Sequence, residues 1–574
     1  MFIATMAISG YSQSTVTFNV DGATTVIPKG IYAVLMERLG RQWTGQNSSG
    51  VFVGTNSTIK NTNGMRDDVI AGFKECGVTG LEWPGGCAAN GYNWSANKRP
   101  TNDVGVDRFI EFCRLTEAEA IIAGKPAGTD AASNLAFCQY IIDSLKYPLK
   151  YFKVGNEVWG CGGNQDVNAY TSSYSTNYDK LKDYFAAKKV SIVASINYGG
   201  DNNWMTSMLG SLNGKIDGFE IHEYLYFPQT YSSTDPTTAQ YWDVLNRAYN
   251  SQIGNNLRRM VSTLEQKDPQ NHVKLIFDEW GDWFKNTGDG WAQENTVMDA
   301  LSAGEHLHNF MQQSSRVEIA CLAQGVNVIH SLININTNQV MVKTPTFYVF
   351  KMFIPHHTNN AKLVPITASS YQNVNGNIQA VTTVASVDST GMVNISFTNI
   401  DMSATRSVTV TLTSSKASYT VKSAEVITGS AINTCNVFGA AEQVNIKTLD
   451  ASSYNLNGKT LSVTLPSKSI VMIRLMPPVA VKPGSLLKNG KNTFSVQAGP
   501  NGTMHINSSV SMNTPVTISL YSVDGKTLID RVSRTLERGN NVCVLGNNLK
   551  NRGVYLVKLT GDNVNFAKKV IVSR

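Results

Sequence analysis

Between about residue 30 and residue 356 the chain repeats one pattern, a short apolar run followed by a stretch with helical spacing. Strand-like runs occupy 77–83, 151–154, 190–196 and 273–277. Helical stretches occupy 66–76, 106–115, 134–145, 178–188 and 296–312. Strands alternating with helices predict βα units and a parallel sheet. Roughly 320 residues of this kind suit an eight-fold (β/α) barrel with loop insertions. A doubly wound sheet is the alternative. No G-x-G-x-x-G follows a strand and no G-x-x-x-x-G-K-[ST] occurs, so nucleotide binding has no support.

From about residue 370 the texture changes. Short β-branched segments at 378–384, 393–397, 407–412, 460–465 and 470–475 are separated by Gly, Asn, Asp and Ser, which predicts a β-sandwich. The segment 14–27 reads as a strand or hairpin. The stretch MPPVAVKPGS at 476–485 is a linker candidate with three prolines. Beyond it, strands are expected at 516–521, 542–545, 554–559 and 566–572, with turn signals at Asp524-Gly525 and Gly561-Asp562. That tail is a small all-β module, and it carries the basic charge: residues 481–574 hold 13 Lys/Arg against 4 Asp/Glu, while the rest of the chain is slightly acidic. A nucleic-acid footprint on the main body is therefore not expected. No window approaches the roughly 20 apolar residues of a membrane helix. Residues 1–13 resemble the back half of a secretory signal without its positive start.

Eight cysteines are spread thinly, with no C-x-x-C pair and no Cys/His cluster at zinc spacing. Neither a structural metal nor a cofactor is expected, and most of the cysteines read as buried small apolar residues. Two acidic positions stand out. In KYFKVGNEVWGCGG a strand runs into Gly155-Asn156-Glu157, and in VKLIFDEWGDWF a strand runs into Asp278-Glu279-Trp280. In a parallel barrel, residues just past the C-terminal end of a strand face the active-site mouth. Aromatic residues surround both (Trp159, Trp280, Trp283, Phe284), as in sites that stack sugars. Paired carboxylates with aromatics suggest glycoside hydrolysis. The competing reading is that each acid only caps the next helix.

The stretches GIYAVLMERLGRQWTG (30–45), NTNGMRDDVIAGFKECGV (61–78), WPGGCAANGYNW (83–94), KYFKVGNEVWGCGG (150–163), IHEYLYF (221–227), IFDEWGDWF (276–284), ENTVMDALSAGEHLHNF (294–310), LAQGVNVIHSLI (322–333) and TPTFYVFKMFIPHH (344–357) resemble, in order, glycoside hydrolase family 51, chiefly α-L-arabinofuranosidases. The resemblance implies a (β/α)8 barrel over 30–357 and a β-sandwich over 358–476. Residues 1–29 would supply a strand to that sandwich, and a linker at 477–485 would precede the module at 486–574. It implies a retaining mechanism with Glu157 as general acid/base and Glu279 as nucleophile, the carboxyl groups about 5–5.5 Å apart. It implies that Asn156 binds the sugar 2-hydroxyl, that Glu37, Tyr224 and Gln324 hold the arabinose ring, and that Cys87 lines the same pocket. His222 would orient its neighbours. The substrate would be a plant polysaccharide such as arabinoxylan or arabinan. Some family members are endo-glucanases or xylanases, and a non-catalytic glycan-binding protein is the alternative from another class. Family members are often oligomeric.

Three departures from the family pattern stand out, one of them the family's Asn-x-Gly-x-Gly run after the third strand, which is only loosely kept in Gly124-Lys125-Pro126-Ala127-Gly128. Glu82 occupies the position before Trp-Pro-Gly-Gly where the family carries Arg, and Glu223 interrupts the usual His-Tyr-Tyr. A carboxylate at residue 82 is expected to raise the nucleophile's pKa and weaken catalysis, or else to take the proton itself and leave Glu279 ionised, with Lys125 the candidate to restore the missing positive charge. Cys87 and Cys161, each in a loop after a barrel strand, are expected close together at the cleft mouth. The tail elements LYSVDGKTL (520–528), GVYLVKL (553–559) and KKVIVSR (568–574) resemble a type IX secretion sorting domain, which implies export to the medium or cell surface and a partner in the secretion machinery.

Overall fold

The computed structural model describes residues 13–46, 49–227, 235–284, 291–478 and most of 487–572. The segment 1–12, most of the linker stretch, Asp524 and Asp562 lie outside the described residues.

Eight parallel strands close into a barrel: β1 (Ala33–Leu35), β2 (Gly80–Trp83), β3 (Glu119–Gly124), β4 (Tyr151–Val154), β5 (Ser191–Ser195), β6 (Gly218–Phe227), β7 (Lys274–Phe284) and β8 (Val317–Leu322). Each pairs in parallel with its successor, and β8 returns to β1. The doubly wound alternative is thereby excluded. The connecting helices bury one stripe each. Helix Asp67–Glu75 buries Val69, Gly72 and Phe73, and helix Ile253–Lys267 buries Ile253, Leu257, Met260, Val261 and Leu264 at i, i+3/i+4 spacing.

The helix expected at 178–188 begins eleven residues earlier, at Val167. Asp166 caps it by accepting from the Asn168 and Ala169 amides, and Tyr170, Tyr174, Asn177, Leu181 and Phe185 form its buried stripe. The polar residues between those positions obscure the stripe in the sequence. Strand 77–83 shortens to Gly80–Trp83, because Cys76 and Val78 close the preceding helix through bonds to Gly72 and Phe73.

Two sheets form the sandwich. Ser14–Asn19 lies parallel to Arg406–Thr413 and antiparallel to Ile366–Ser370, so the N-terminal strand does enter it. The second sheet, with Val381–Val387, Val393–Asn399 and Ser469–Met476 at its centre, packs on helix Val297–Gln312. That helix is buried at every position from Val297 to Met311, because it lies between barrel and sandwich. A Cβ at Gly304 would come within 2.8 Å of Thr398 Oγ1, so only glycine permits this approach.

Residues 479–574 form a separate compact unit. It has two four-stranded antiparallel sheets, centred on Asn492–Ala498 with Met504–Val510 and on Thr514–Ser522 with Gly553–Gly561. Phe494, Ile506, Ile518, Leu520, Val557 and Leu559 build its own core. Among the described residues no helix is long and apolar enough to cross a membrane.

Candidate active site

The site is set by two irregularities at the C-terminal end of the barrel. After β4 the chain turns through Gly155 at φ 100° and Glu157 at φ 43°, a left-handed conformation that aims the Glu157 side chain across the mouth. In β7 the register slips between Ile276 and Glu279, so Asp278 and Glu279 both take part in the interior site, whereas Phe277 and Trp280 pack outward on Phe310.

His222 on β6 stands between the two glutamates. Its Nδ1 lies 3.0 Å from Glu157 Oε1 and 3.3 Å from Glu279 Oε2. The donor atoms of Glu157, His222 and Glu279 all fall within 4.8 Å of one another. Such a set could accept a cation, and a proton on Nδ1 would lie between the two carboxylates. Tyr224 donates its hydroxyl to Glu279 Oε2 at 2.8 Å, and Glu279 Oε1 has no protein partner among the described residues. Asn156 is held through its backbone by Asn90, at 3.2 and 3.0 Å, and its buried Nδ2 has no protein partner.

On the opposite wall Gln324 donates to Glu37 Oε2 at 2.8 Å and accepts from Gln42 Nε2 at 2.7 Å. A Cβ at Gly86 would fall 1.7 Å from Glu37 Oε1, so the Pro-Gly-Gly turn must be glycine there. Cys87 and Cys161 form a disulfide with Cα atoms 5.4 Å apart, joining the loops after β2 and β4. The Cys161 sulfur lies 3.5 Å from Glu157 Oε2. The structure thus gathers Glu37, Cys87, Asn156, Glu157, Tyr224, Glu279 and Gln324 at one end of the barrel.

Below this layer lies one that the sequence analysis missed. Lys153, the inward residue of β4, is fully buried and reaches Glu82 Oε1 at 2.6 Å, Glu220 Oε2 at 3.6 Å and the Asp278 carboxylate. The available signal was a lysine inside an apolar strand run. Lys125 pairs instead with Asp130, at 3.5 Å. The charge absent at residue 82 therefore enters from β4, through Lys153.

Of the two outcomes expected for residue 82, the surroundings favour the proton on Glu82 itself over its repulsion of Glu279. Burial, offset by Lys153 and reinforced by Asp278, pushes Glu82 up to about 8, so it stays largely protonated near neutrality. The charges acting most on Glu279 belong to His222, Glu157, Glu37 and Asp278. Glu223 turns away to accept from Asn256. Trp280 is not a sugar platform, because it lies buried against His306, Phe310 and Phe350. Trp283 does pack at the mouth, 5.1 Å from the Tyr224 ring and 5.0 Å from that of Tyr226. Trp159 stands edge-on to His222 at 5.5 Å, whereas Phe284 is buried.

Burial alone would push the His222 imidazole down, but Glu279, Asp278 and Glu157 hold it well above its ordinary range. Burial raises Glu157, yet its bond to His222 brings it below the usual carboxylate range. Burial holds Glu279 well above that range against the pull of His222. The three groups share protons and titrate as a unit.

Residues 278–469 match the family described as Alpha-L-arabinofuranosidase C-terminal domain, and residues 500–573 match the Secretion system C-terminal sorting domain. An intracellular exo-alpha-L-arabinofuranosidase of Bacteroides ovatus is 29% identical, over 82% of this chain and 97% of its own length. An intracellular exo-alpha-(1->5)-L-arabinofuranosidase of Acetivibrio thermocellus is 25% identical, over 59% of this chain and 75% of its own. The crystal structure of the GH51 arabinofuranosidase from Xanthomonas axonopodis pv. citri superposes with a TM-score of 0.73 at 27% identity, covering 81% of this chain and all of that one. The sorting domain implies secretion or the cell surface, although both of these curated relatives are named intracellular. The chain is thus similar, over 81% of its length, to the family 51 α-L-arabinofuranosidases, and it ends in a secretion-system C-terminal sorting domain.

Proposed function

We propose that this protein is a retaining, exo-acting α-L-arabinofuranosidase that releases terminal arabinofuranosyl groups from plant polysaccharides such as arabinoxylan or arabinan. The observation that supports the reading is that one oxygen of Glu157 and one of Glu279 lie within 4.8 Å of each other at the barrel mouth, both against His222 Nδ1. Carboxylates whose oxygens approach this closely suit direct attack by one of them, the retaining arrangement, better than a pair held apart to admit a water.

Glu279 Oε1 attacks the anomeric carbon while Tyr224 holds Oε2. Glu157 protonates the leaving oxygen, then takes a proton from the water that hydrolyses the glycosyl-enzyme. Because the surrounding carboxylates raise His222, we place the resting proton on its Nδ1, which faces both carboxylates. His222 is thus placed to hand that proton to Glu157 as the substrate enters, and attack requires Glu279 ionised against the burial that raises it. The Asn156 amide is positioned for the sugar 2-hydroxyl. The Glu37–Gln324 wall and the Gly85-Gly86 turn close the far side of the pocket, which suits a terminal sugar.

Methanolysis of 4-nitrophenyl α-L-arabinofuranoside followed by proton NMR tests the reading. The expected product is the methyl α-furanoside. The β-anomer, or turnover confined to xylan or carboxymethyl cellulose, would overturn it. Export through the type IX machinery to the medium or cell surface follows from the tail, and cell fractionation with and without residues 486–574 reads it. A homo-oligomer is the assembly expected from kinship, checked by sedimentation.

A further inference from the structure

A cavity of about 730 Å³ opens beside the catalytic pocket and is not used by the mechanism above. Its floor and walls come from the loop after β1, the segment leading into helix Val297–Gln312, the loop after β8, and Phe438 from the sandwich. We propose that this groove binds the main chain of the polysaccharide, a neutral run of sugar rings, and so presents its arabinofuranosyl branch to Glu157 and Glu279. The proposal rests on the arabinofuranosidase reading and extends it.

Four observations support it. The volume lies in the range of built ligand sites, roughly 300–1,000 Å³. Among the described residues the lining carries one cation, Arg41, and one anion, Glu294, with amides and hydroxyls between, which suits a neutral polyol rather than a charged ligand. Two aromatic rings, Trp291 at 48% exposure and Phe438 at 41%, open onto it from different parts of the fold. Large exposed apolar side chains rimmed by polar groups mark a binding surface, and rings among hydroxyl-binding amides suit sugar stacking.

The backbone that carries each ring is fixed by specific bonds. Trp291 adopts φ 61°, unusual for a bulky residue, and its carbonyl accepts from the Ile329 amide at 2.6 Å. The loop bearing Phe438 is anchored by Asn436, which donates to Lys343 O and Val444 O and accepts from the Gln443 and Val444 amides. The groove shares its wall with the catalytic pocket. Arg41 precedes Gln42, the partner of Gln324, and Arg41 Nε donates at 3.0 Å to the carbonyl of Asn327, three residues past Gln324.

The test uses the full chain and the variants Trp291→Ala, Phe438→Ala and Trp291→Phe. On 4-nitrophenyl α-L-arabinofuranoside, which reaches only the catalytic pocket, kcat/KM should stay within about twofold. On arabinoxylo-oligosaccharides or branched arabino-oligosaccharides, KM should rise roughly tenfold per ring removed, with Trp291→Phe retaining most of the affinity. Calorimetric binding of xylohexaose and of linear α-1,5-arabinohexaose to the Glu279→Gln protein then identifies the main chain. Binding of one that is lost in Glu279→Gln/Trp291→Ala supports the proposal and names the source. Binding of neither, or binding unchanged in the ring variants, would overturn it. An equal fall on both substrate types would also overturn it, because the rings would then serve the catalytic pocket or its folding. Absence of all arabinofuranosidase turnover with ring-dependent oligosaccharide binding would sink the activity reading and leave the groove standing.

Discussion

Two groups of buried histidines show what decides a proton's place in this protein. His222 and His308 are both 0% exposed. At the seam between helix Val297–Gln312 and the sandwich, His308 bonds only to hydroxyls, Thr382 at 2.8 Å and Ser396 at 2.9 Å, and burial takes its pKa to about 3. Neighbouring His356, on Ser386 and Ser396, is likewise held well below its ordinary range by burial. At the barrel mouth the same burial is outweighed by Glu279, Asp278 and Glu157, and His222 is held charged. Desolvation is common to both regions, and only the partners differ. The seam histidines fill hydrogen-bonding places as neutral rings. His222 stores a proton between two carboxylates.

The sharpest way to break this comparison is to remove the charges in turn. Glu157→Gln should lower kcat/KM for unactivated glycosides by about 10²–10⁴-fold with Tm little changed, read by steady-state kinetics and calorimetry. His222→Asn should cost kcat roughly 10²-fold, with the pH profile altered in shape. By contrast, His308→Asn should leave kinetics on the nitrophenyl substrate unaltered and cost about 1–3 kcal/mol of stability, through hydroxyls left unpaired. Equal kinetic losses from the two histidine variants would contradict the distinction.

Lys153→Met should lose about 3–5 kcal/mol, because Asp278 and Glu220 are left without their buried cation and Glu82 without its hydrogen-bond partner. Glu82→Gln should be mild, since its carboxyl is already largely protonated below about pH 8. A raised carboxyl pKa favours the folded state at low pH and loses that contribution as pH rises from the unfolded value toward 8. Glu82→Gln should therefore flatten the fall in Tm between pH 5 and 8. A steeper fall would mean that Glu82 is ionised in the folded protein.

The seam histidines carry the opposite sign. Their pKa values are depressed in the folded state, so their contribution is present above the unfolded value near 6.5 and lost as pH falls from there toward 3. His308→Asn should reduce that acid destabilisation, read as Tm between pH 4 and 7. The smallest effect is expected from truncation after residue 480, which should leave turnover on the nitrophenyl substrate unchanged, because residues 479–574 hold their own core.

The barrel rhythm, the strand at 151–154, the loop acids Glu157 and Glu279, the nearness of Cys87 and Cys161, and the sandwich texture were legible from the amino-acid order. Local spacing carries them: period-2 and period-3.6 hydrophobicity specify element type, and a strand followed by a glycine turn places the next residue at a barrel mouth. Glu37, Gln324 and Tyr224 were legible only through family resemblance, since nothing in their surroundings distinguishes them from ordinary polar residues at strand ends. Three features needed the closed fold. The inward or outward sense of neighbouring residues in β7 depends on one slipped register, which sends Trp280 to the outer core and Asp278 to Lys153. The replacement of a missing charge at residue 82 by Lys153 joins side chains 71 positions apart, which no local pattern encodes. The raised affinity of His222 for a proton is due to carboxylates that β7 and the loop after β4 bring to one place. Coulomb attraction in a desolvated site depends on distances through space, and those exist only once the barrel has closed.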